Sequence, residues 1–273
     1  MDYVLIKVDI FKWNTGDILP ELVLLGLGLS PKHMTIEAID EIKSADMVLM
    51  DTYTGDYKPF YNYIKALNGN VKLVGRSDLE GEGTILNNIL GCSKVVLAVV
   101  GDPLIATTHA SIILSAISKG LKVRIVNGIS VISAAISKSG LMVYKFGKSA
   151  TLVYPKNGIV YDYPYYVIRD NMLRGLHTLL LLEYDNEKGI YMTISDALKI
   201  LLELEARNKG NIITSKTIVI GLARLGYPDE LIKAGELEKI INYNFGPPPH
   251  TLIIPAKLHF IEQDILRKLY WIN

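Results

Sequence analysis

Residues 95–109, VVLAVVGDPLIATTH, carry six apolar side chains directly into Gly-Asp-Pro and then into Thr and His. No polar residue interrupts Val95 to Val100, so a strand formed there must be covered on both faces. That pattern belongs to a parallel sheet flanked by helices, whereas a half-exposed antiparallel strand alternates apolar with polar. In open sheets of this kind ligands bind outside the carboxyl ends of the strands. Gly101 lets the backbone turn there, Pro103 fixes φ, and Asp102 offers a carboxylate to a hydroxyl or amino group. Thr107, Thr108 and His109 supply short-range donors where the next helix begins. The plainer reading of the same residues is a turn at Asp102-Pro103 and a helix cap at Thr108.

Similar apolar runs lie at 22–29 (LVLLGLGL), 47–50 (MVLM), 72–74 (KLV) and 123–127 (VRIVN). Helical patterns separate them. In TIEAIDEIKSAD (35–46), Thr35 is placed to cap, Glu37 suits the first turn, and Ile36, Ile39 and Ile42 share a face. In HASIILSAISKG (109–120), Ile113, Ala116 and Ile117 form the expected apolar stripe and Gly120 the stop. Strand–helix alternation over 22–128 predicts an α/β domain with right-handed crossovers.

The second half changes rhythm. Strands are predicted at 149–155, 177–184, 216–223 and 250–256, and a closing helix over 258–271. SDALKILLELEARNKG (195–210) reads as a helix capped by Ser195, with Leu198, Leu201 and Leu202 inward and Gly210 at its end. Residues 156–176, rich in Tyr, Pro and Asn, read as a long excursion containing a helix. The organisation that follows is an N-terminal extension (1–21), an N-terminal α/β domain with a mostly parallel sheet (22–145) and a second α/β domain (146–273).

Composition narrows the function classes. Of 273 residues 49% are hydrophobic and 21% charged, which excludes a largely disordered chain. A formal net charge of +1 and the absence of a Lys/Arg block disfavour nucleic-acid binding. The single cysteine, Cys92, forms no intramolecular disulfide, fits a reducing cytoplasm and is expected to be a packed small residue. No apolar run approaches the ~18 residues of a membrane span. Lys7 and Asp9 break the apolar N-terminal stretch, making it a poor signal peptide.

GLGLSP (26–31), with Asp51 after the next strand, approaches a dinucleotide fingerprint, but Pro31 stands in place of the third glycine. Gly26 and Gly28 equally suit a tight strand-to-helix turn. NGISVISAA (127–135) repeats the strand-end arrangement with Gly128 and Ser130; Glu183 ends another strand. Gly221, Ala223 and Gly226 in GLARLG would let a flat ring approach backbone, and GPPPH gives a rigid lead-in to His250. His177 and His250, each at a strand start, carry a structural reading as well as a functional one. No phosphate loop, HExxH helix, GxSxG elbow or Cys/His cluster occurs, so neither metal nor covalent catalysis is expected. Glycines, acids, hydroxyls and a His suit the orientation of a reactive cofactor.

GLGL (26–29), GDPLIATTH (101–109), SGLMVYKFGKSATLVYP (139–155), RGLHTLLLLE (174–183) and PPHTLIIPAKLH (248–259) together resemble the archaeal-type diphthine synthases, within the tetrapyrrole-methylase-like methyltransferases. The resemblance implies two α/β domains with S-adenosylmethionine in the cleft between them and S-adenosylhomocysteine as product. It implies methylation, to the trimethyl form, of the amino group on the amino-carboxypropyl-modified histidine of translation elongation factor 2. The product is diphthine, in diphthamide biosynthesis. A cytoplasmic homodimer is implied too. Motif by motif, the cofactor contacts carried over are Leu29, Asp102, Ile105, Ser130, Val131, Leu182, Ala223 (or Leu222) and His250, with no metal and no identified catalytic base. The chain departs from the family pattern in its first 20 or so residues, in Pro247 where the family has Asp, and in one extra residue near 127–140. The alternatives are a tetrapyrrole-precursor methylase of the same fold, a non-catalytic elongation-factor-binding protein and, on the GLG loop alone, a dehydrogenase.

Overall fold

The computed structural model describes residues 20–80, 89 and 91–272. Residues 1–19 of the extension read at 1–21 therefore lie outside the described residues. The chain divides into two compact units, the first ending at Ser130 and the second beginning at Val131.

The first unit is built on five strands, β1 (Glu21–Gly26), β2 (Met47–Asp51), β3 (Val71–Val74), β4 (Lys94–Val99) and β5 (Lys122–Val126). Their order is β3-β2-β4-β1-β5 and every pairing is parallel. Helices α1 (Ile36–Ser44), α2 (Lys58–Leu67), α3 (Arg76–Glu80) and α4 (Ala110–Ser118) alternate with them. Successive strand residues enter two separate cores. Leu22, Leu24, Leu49, Val95, Leu97 and Val99 pack on one face, and Val23, Leu25, Val48, Met50, Val96 and Ala98 on the other. The uninterrupted apolar runs are thus the cost of covering both faces, each buried aliphatic side chain contributing about 1.5–3 kcal/mol.

Thr35 caps α1 as expected, accepting from the Ala38 N–H at 3.0 Å. Its inward stripe differs from the expected one: Ala38 and Ile42 are buried and Ile39 half-buried, while Ile36, at the first helical position, is 80% exposed. In α4 the buried residues are Ile112 and Ala116, with Ile113 packed beside them, and Ile117 faces out. Gly120 adopts a positive φ of 78°, and the Leu121 N–H returns to the Ala116 carbonyl, a Schellman-type stop. Cys92 packs, half-buried, against the core that contains Leu22 and Leu97.

Strands β4, β1 and β5 are neighbours, and at their carboxyl ends the backbone itself is the packing surface. A Cβ on Gly26 would lie 2.5 Å from the Gly128 nitrogen and 2.7 Å from the Gly101 oxygen. One on Gly128 would lie 2.2 Å from the Gly101 oxygen. Beyond β1, Gly28 and Gly101 exchange backbone hydrogen bonds of 3.0 and 2.8 Å, both with positive φ.

The second unit opens with α5 (Val131–Ser139) and contains β6 (Ala150–Leu152), α6 (Tyr163–Leu173), β7 (Thr178–Leu182), the hairpin β8 (Tyr184–Asp185) with β9 (Ile190–Tyr191), and α7 (Ile194–Asn208). It closes with β10 (Ile218–Ala223), β11 (Leu231–Glu236), α8 (Leu237–Ile240), β12 (His250–Ile254) and α9 (Phe260–Leu269). Its sheet order is β11-β10-β12-β7-β6, antiparallel except for β6 with β7. Contacts of Lys138 in α5 and of Gly140 just after it show why this unit reaches back upstream of the 145/146 division read from sequence. Lys138 Nζ donates to Glu230, the Tyr270 hydroxyl donates to the Lys138 carbonyl at 2.7 Å, and a Cβ on Gly140 would meet Ile265 Cγ2 at 2.3 Å.

Helix α7 begins two residues earlier than Ser195 would place it. Thr193 and Asp196 form a reciprocal capping box, Leu198 and Leu201 are fully buried, and Leu202 is half-buried. The left-handed stop is Lys209, φ 53°; Gly210 instead abuts the Tyr165 hydroxyl.

The polar anchor of the second unit is Glu262, the third residue of α9, with no exposed side-chain surface. Its carboxylate accepts from Met142 N (2.9 Å), His259 N (2.7 Å), Lys145 Nζ (2.6 Å) and His177 Nε2 (3.1 Å). His177 accepts the Ala256 N–H on Nδ1 at 3.0 Å, which leaves its ring hydrogen on Nε2, facing Glu262. His177 is thus structural, and burial lowers its pKa despite the carboxylate. Burial alone would raise the Glu262 pKa, but Lys145 and the backbone donors outweigh it and hold the group at about 2.

Gly128→Ala should cost roughly 3 kcal/mol or more in chemical denaturation, because backbone cannot yield as a flexible side chain does. Gly69→Ala, with nothing within 4 Å of the new methyl, should stay within about 0.5 kcal/mol. Glu262→Gln should destabilise by about 3 kcal/mol at neutral pH by leaving Lys145 and the backbone donors short of a carboxylate. Since the folded pKa lies below the ordinary value of 4.5, the wild-type advantage should be intact above pH 4.5 and fade as pH falls toward 2. Denaturation of both proteins across that range measures it.

Candidate cofactor site

In the first unit the sequence-predicted residues Leu29, Asp102, Ile105 and Ser130 fall in the three loops leaving β1, β4 and β5. Asp102 is buried, and its carboxylate stitches two of those loops together. Oδ1 accepts the Leu104 N–H at 3.0 Å; Oδ2 accepts Asn127 Nδ2 at 3.0 Å and the Gly128 N–H at 3.3 Å. A carboxylate has about four acceptor positions, so three local bonds leave room for one more donor. Leu29 and Ser130 are buried, whereas Ile105 is 43% exposed. Ala106, with φ 59°, turns the chain after it.

The Thr-His stretch does not reach for a ligand as a row of donors would. Thr107 Oγ1 donates to the Pro103 carbonyl at 2.7 Å, and His109 Nδ1 donates to the same oxygen at 3.0 Å. Thr108 makes no side-chain cap; His109 is the cap residue of α4. Behind the loop, His109 Nε2 stands 3.5 Å from Asp51 Oδ2, both side chains fully buried. Asp51 spends its carboxylate on the Tyr53 N–H (2.7 Å), the Thr54 N–H (3.2 Å) and the Thr54 hydroxyl. It is turned into its own loop, so the acid that a dinucleotide reading needs for a ribose is not presented there. Gly26 and Gly28 likewise accommodate neighbouring chain and the His33 side chain, which removes the second support of that reading.

In the second unit three further predicted residues share one row of the sheet. His250 pairs with Ala223 on one side, and the β12–β7 register, with Thr251 opposite Leu181, sets His250 beside Leu182 on the other. All three are buried. Val131 is the half-buried first residue of α5. Leu222 pairs with Thr251 and Ile232, one step back from that row. His250 Nδ1 accepts the Ile194 N–H at 3.3 Å, so the hydrogen sits on Nε2, and that atom makes no hydrogen bond of ordinary geometry among the described residues. Burial first, and then the charge of Arg224, lower its pKa to about 4; the imidazole is uncharged at neutral pH. The row therefore offers apolar surface from Leu182 and Ala223 next to one buried, uncharged N–H donor.

Other flagged residues are structural. Glu183 accepts the Tyr154 N–H at 2.8 Å and pairs with Lys156 at 3.1 Å. Gly221 makes room for Phe245, 2.4 Å from where a Cβ would stand. Two residues that sequence reasoning missed bracket the His250 loop, Arg224 and Asp196. Arg224 directly follows β10 and is buried; Asp196 accepts from the Tyr154 hydroxyl at 2.7 Å and completes the capping box of α7, whose cap is Thr193. An Arg immediately after an apolar strand was the available signal for the first. Among the described residues no group of three His, Cys, Asp or Glu is placed to hold a metal, and no helix is long and apolar enough to cross a membrane.

The family model for tetrapyrrole (corrin/porphyrin) methylases matches residues 21–241. The diphthine synthase of Sulfurisphaera tokodaii is 42% identical over 254 residues, covering 92% of this chain and 99% of that one. That of Staphylothermus marinus is 42% identical over 258 residues, covering 90% and 92%. A crystal structure of diphthine synthase superposes with a TM-score of 0.79 at 32% identity, covering 92% of this chain and 96% of the other.

Two measurements check the geometry without any ligand. Asp102→Asn should lose about 1–3 kcal/mol, because an amide NH2 in either oxygen's place faces a donor that the carboxylate had satisfied. In NMR titration His250 should deprotonate near pH 4, well below its ordinary 6.5. The unfolded chain then takes up this proton first, so stability should decline as pH falls from 6.5 toward 4. His250→Gln should flatten that part of the curve.

Proposed function

The chain belongs to the tetrapyrrole (corrin/porphyrin) methylase family and within it to the diphthine synthases, and on that premise we propose the acceptor, the cofactor contacts and the role of each residue. It is a methyltransferase of diphthamide biosynthesis. The acceptor we assign is the amine of the amino-carboxypropyl-modified histidine on translation elongation factor 2, methylated to the trimethyl form. A cytoplasmic homodimer belongs to the same proposal.

The observation that carries the reading is the pinned carboxylate of Asp102 in the first unit; the second unit, taken by itself, presents the Leu182–His250–Ala223 row. Their chemistry fits S-adenosylmethionine. Asp102 has an acceptor position left for a ribose hydroxyl or an amino group, and Leu182 and Ala223 supply apolar surface for an adenine ring. His250 supplies a buried donor that makes no hydrogen bond of ordinary geometry among the described residues. Leu29, Ile105 and Ser130 in the first unit and Val131 in the second complete the proposed contacts. When bound, this cofactor supplies a methyl group on a sulfonium, a leaving group that needs neither metal nor covalent enzyme intermediate.

The protein's own contribution is then orientation. Holding two reactants aligned is worth up to roughly 7–11 kcal/mol of the barrier. The glycine contacts and the Asp102 bonds give the first-unit loops fixed positions in advance of binding. The uncharged state of His250 lets it donate without adding a positive charge to a site for a cationic cofactor. No side chain is assigned as base; water can take the proton that the acceptor amine must lose before each attack.

The test is intact-mass analysis of elongation factor 2 bearing the amino-carboxypropyl histidine, incubated with the protein and S-adenosylmethionine. Successive gains of one methyl group, confined to that histidine, are expected. No gain from the elongation factor, with methyl transfer to a tetrapyrrole precursor, would replace this reading by the tetrapyrrole one.

A further inference from the structure

Arg224 sits immediately after Ala223 and directly pairs with the loop that leads into His250. Its side chain is surrounded by acceptors. Nη1 donates to the carbonyls of Phe245 (2.7 Å) and Pro247 (2.6 Å), Nε to Asp229 Oδ2 (2.6 Å) and Nη2 to the Asp229 carbonyl (3.0 Å). Its own N–H donates to the Pro249 carbonyl at 2.8 Å. One residue therefore binds the backbone at 245, 247 and 249, every second residue up to His250. It does so from a left-handed backbone conformation, φ 49°, which a residue with a Cβ rarely adopts. Such conformations persist only where the surroundings enforce them, and they cluster at functional sites. Gly246 gives the guanidinium its space: a Cβ there would stand 3.2 Å from both Nη1 and Nη2.

We propose that Arg224 is the positioning residue of the cofactor site, its guanidinium fixing the 245–249 loop so that His250 presents its Nε2–H in the row with Ala223 and Leu182. The inference rests on the assignment of His250 to the S-adenosylmethionine site. Two features separate this role from ordinary loop packing. The guanidinium is fork-shaped and uses all three nitrogens, Nη1 at 245 and 247 on one side, Nε and Nη2 at 229 on the other; a lysine ammonium has no such fork. The same charge also faces His250 and, together with burial, keeps the imidazole uncharged, while Asp196 acts in the opposite sense. The chain's Pro247 contributes only its carbonyl to this arrangement, and the carboxylate partner comes from Asp229, across the turn after β10.

The experiment compares wild type, Arg224→Lys, Arg224→Gln and Asp229→Ala by three readouts: thermal unfolding, calorimetric titration with S-adenosylhomocysteine, and NMR titration of the His250 ring. Folded Arg224→Lys and Arg224→Gln proteins should bind S-adenosylhomocysteine at least about tenfold more weakly, the loss expected when a bidentate anchor is removed. In Arg224→Gln the His250 midpoint should rise from about 4, whereas Arg224→Lys, which keeps the charge, should hold it closer to wild type. Wild-type affinity together with an unchanged His250 titration in a folded Arg224 variant would overturn the proposal. Should both Arg224 variants fail to fold, Asp229→Ala decides. Its carboxylate is 62% exposed, so the fold should survive, and it must weaken binding by about threefold and move the His250 resonances, or the proposal falls. If wild type itself does not bind S-adenosylhomocysteine, the cofactor assignment fails, and the His250 titration still reports whether Arg224 sets that side chain.

Discussion

Backbone contact among Gly26, Gly101 and Gly128 is the constraint on which the first unit's site depends. These residues end or follow β1, β4 and β5, adjacent strands of one parallel sheet, and any side chain on Gly26 or Gly128 would enter a neighbour's backbone. Because the three chains touch there, the loops that leave them start from fixed positions. Asp102, one residue after Gly101, can then reach both its own loop and the loop after β5 with a single carboxylate. The glycines that a dinucleotide motif would use for approach to a pyrophosphate serve here for the approach of protein to protein.

The second unit solves a related problem with charge in place of close contact. Glu262 gathers two backbone donors, a lysine and a histidine into one buried cluster, tying the 142–145 segment and the start of β7 to α9. Against that fixed sheet, β7, β12 and β10 place Leu182, His250 and Ala223 side by side. Buried ion clusters of this kind are poor sources of net stability but costly to break, so they hold a register more than they strengthen it. Both units thus hold their candidate residues before any ligand arrives, which is what a reaction governed by alignment requires.

Much of this was legible in the sequence, for stated reasons. The three central parallel strands, β1, β2 and β4, appear as apolar runs because both of their faces are covered, whereas the edge strands β3 and β5 carry Lys72, Lys122 and Arg124 and are only partly covered; Asp102 was identifiable from its place at a strand's carboxyl end. What escaped lay where the pattern is weak or the decisive partner is distant. Strand β11, LIKAGE, is an edge strand carrying Lys, Gly and Glu and has no apolar run to betray it. Ile36 follows the helical period of α1 yet points outward, because it precedes the first full turn that meets the sheet. The α7 cap went to Ser195 in place of Thr193, although Asp196 three residues after Thr193 spells the capping box. Glu262 and Arg224 act through partners more than 80 and about 20 residues away respectively, separations no local pattern records. Thr107 and His109 were correctly seen as donors, but their acceptor is the Pro103 carbonyl of their own loop.

The central claim is that these pre-set residues hold an adenosyl cofactor. It is tested most directly by calorimetric titration of the purified protein with S-adenosylhomocysteine, with NAD as the control ligand. Saturable binding of S-adenosylhomocysteine, with no heat of binding from NAD, is the result predicted. Binding of NAD, or of neither ligand, would contradict the claim and leave the GDP loop a turn held by its own hydrogen bonds.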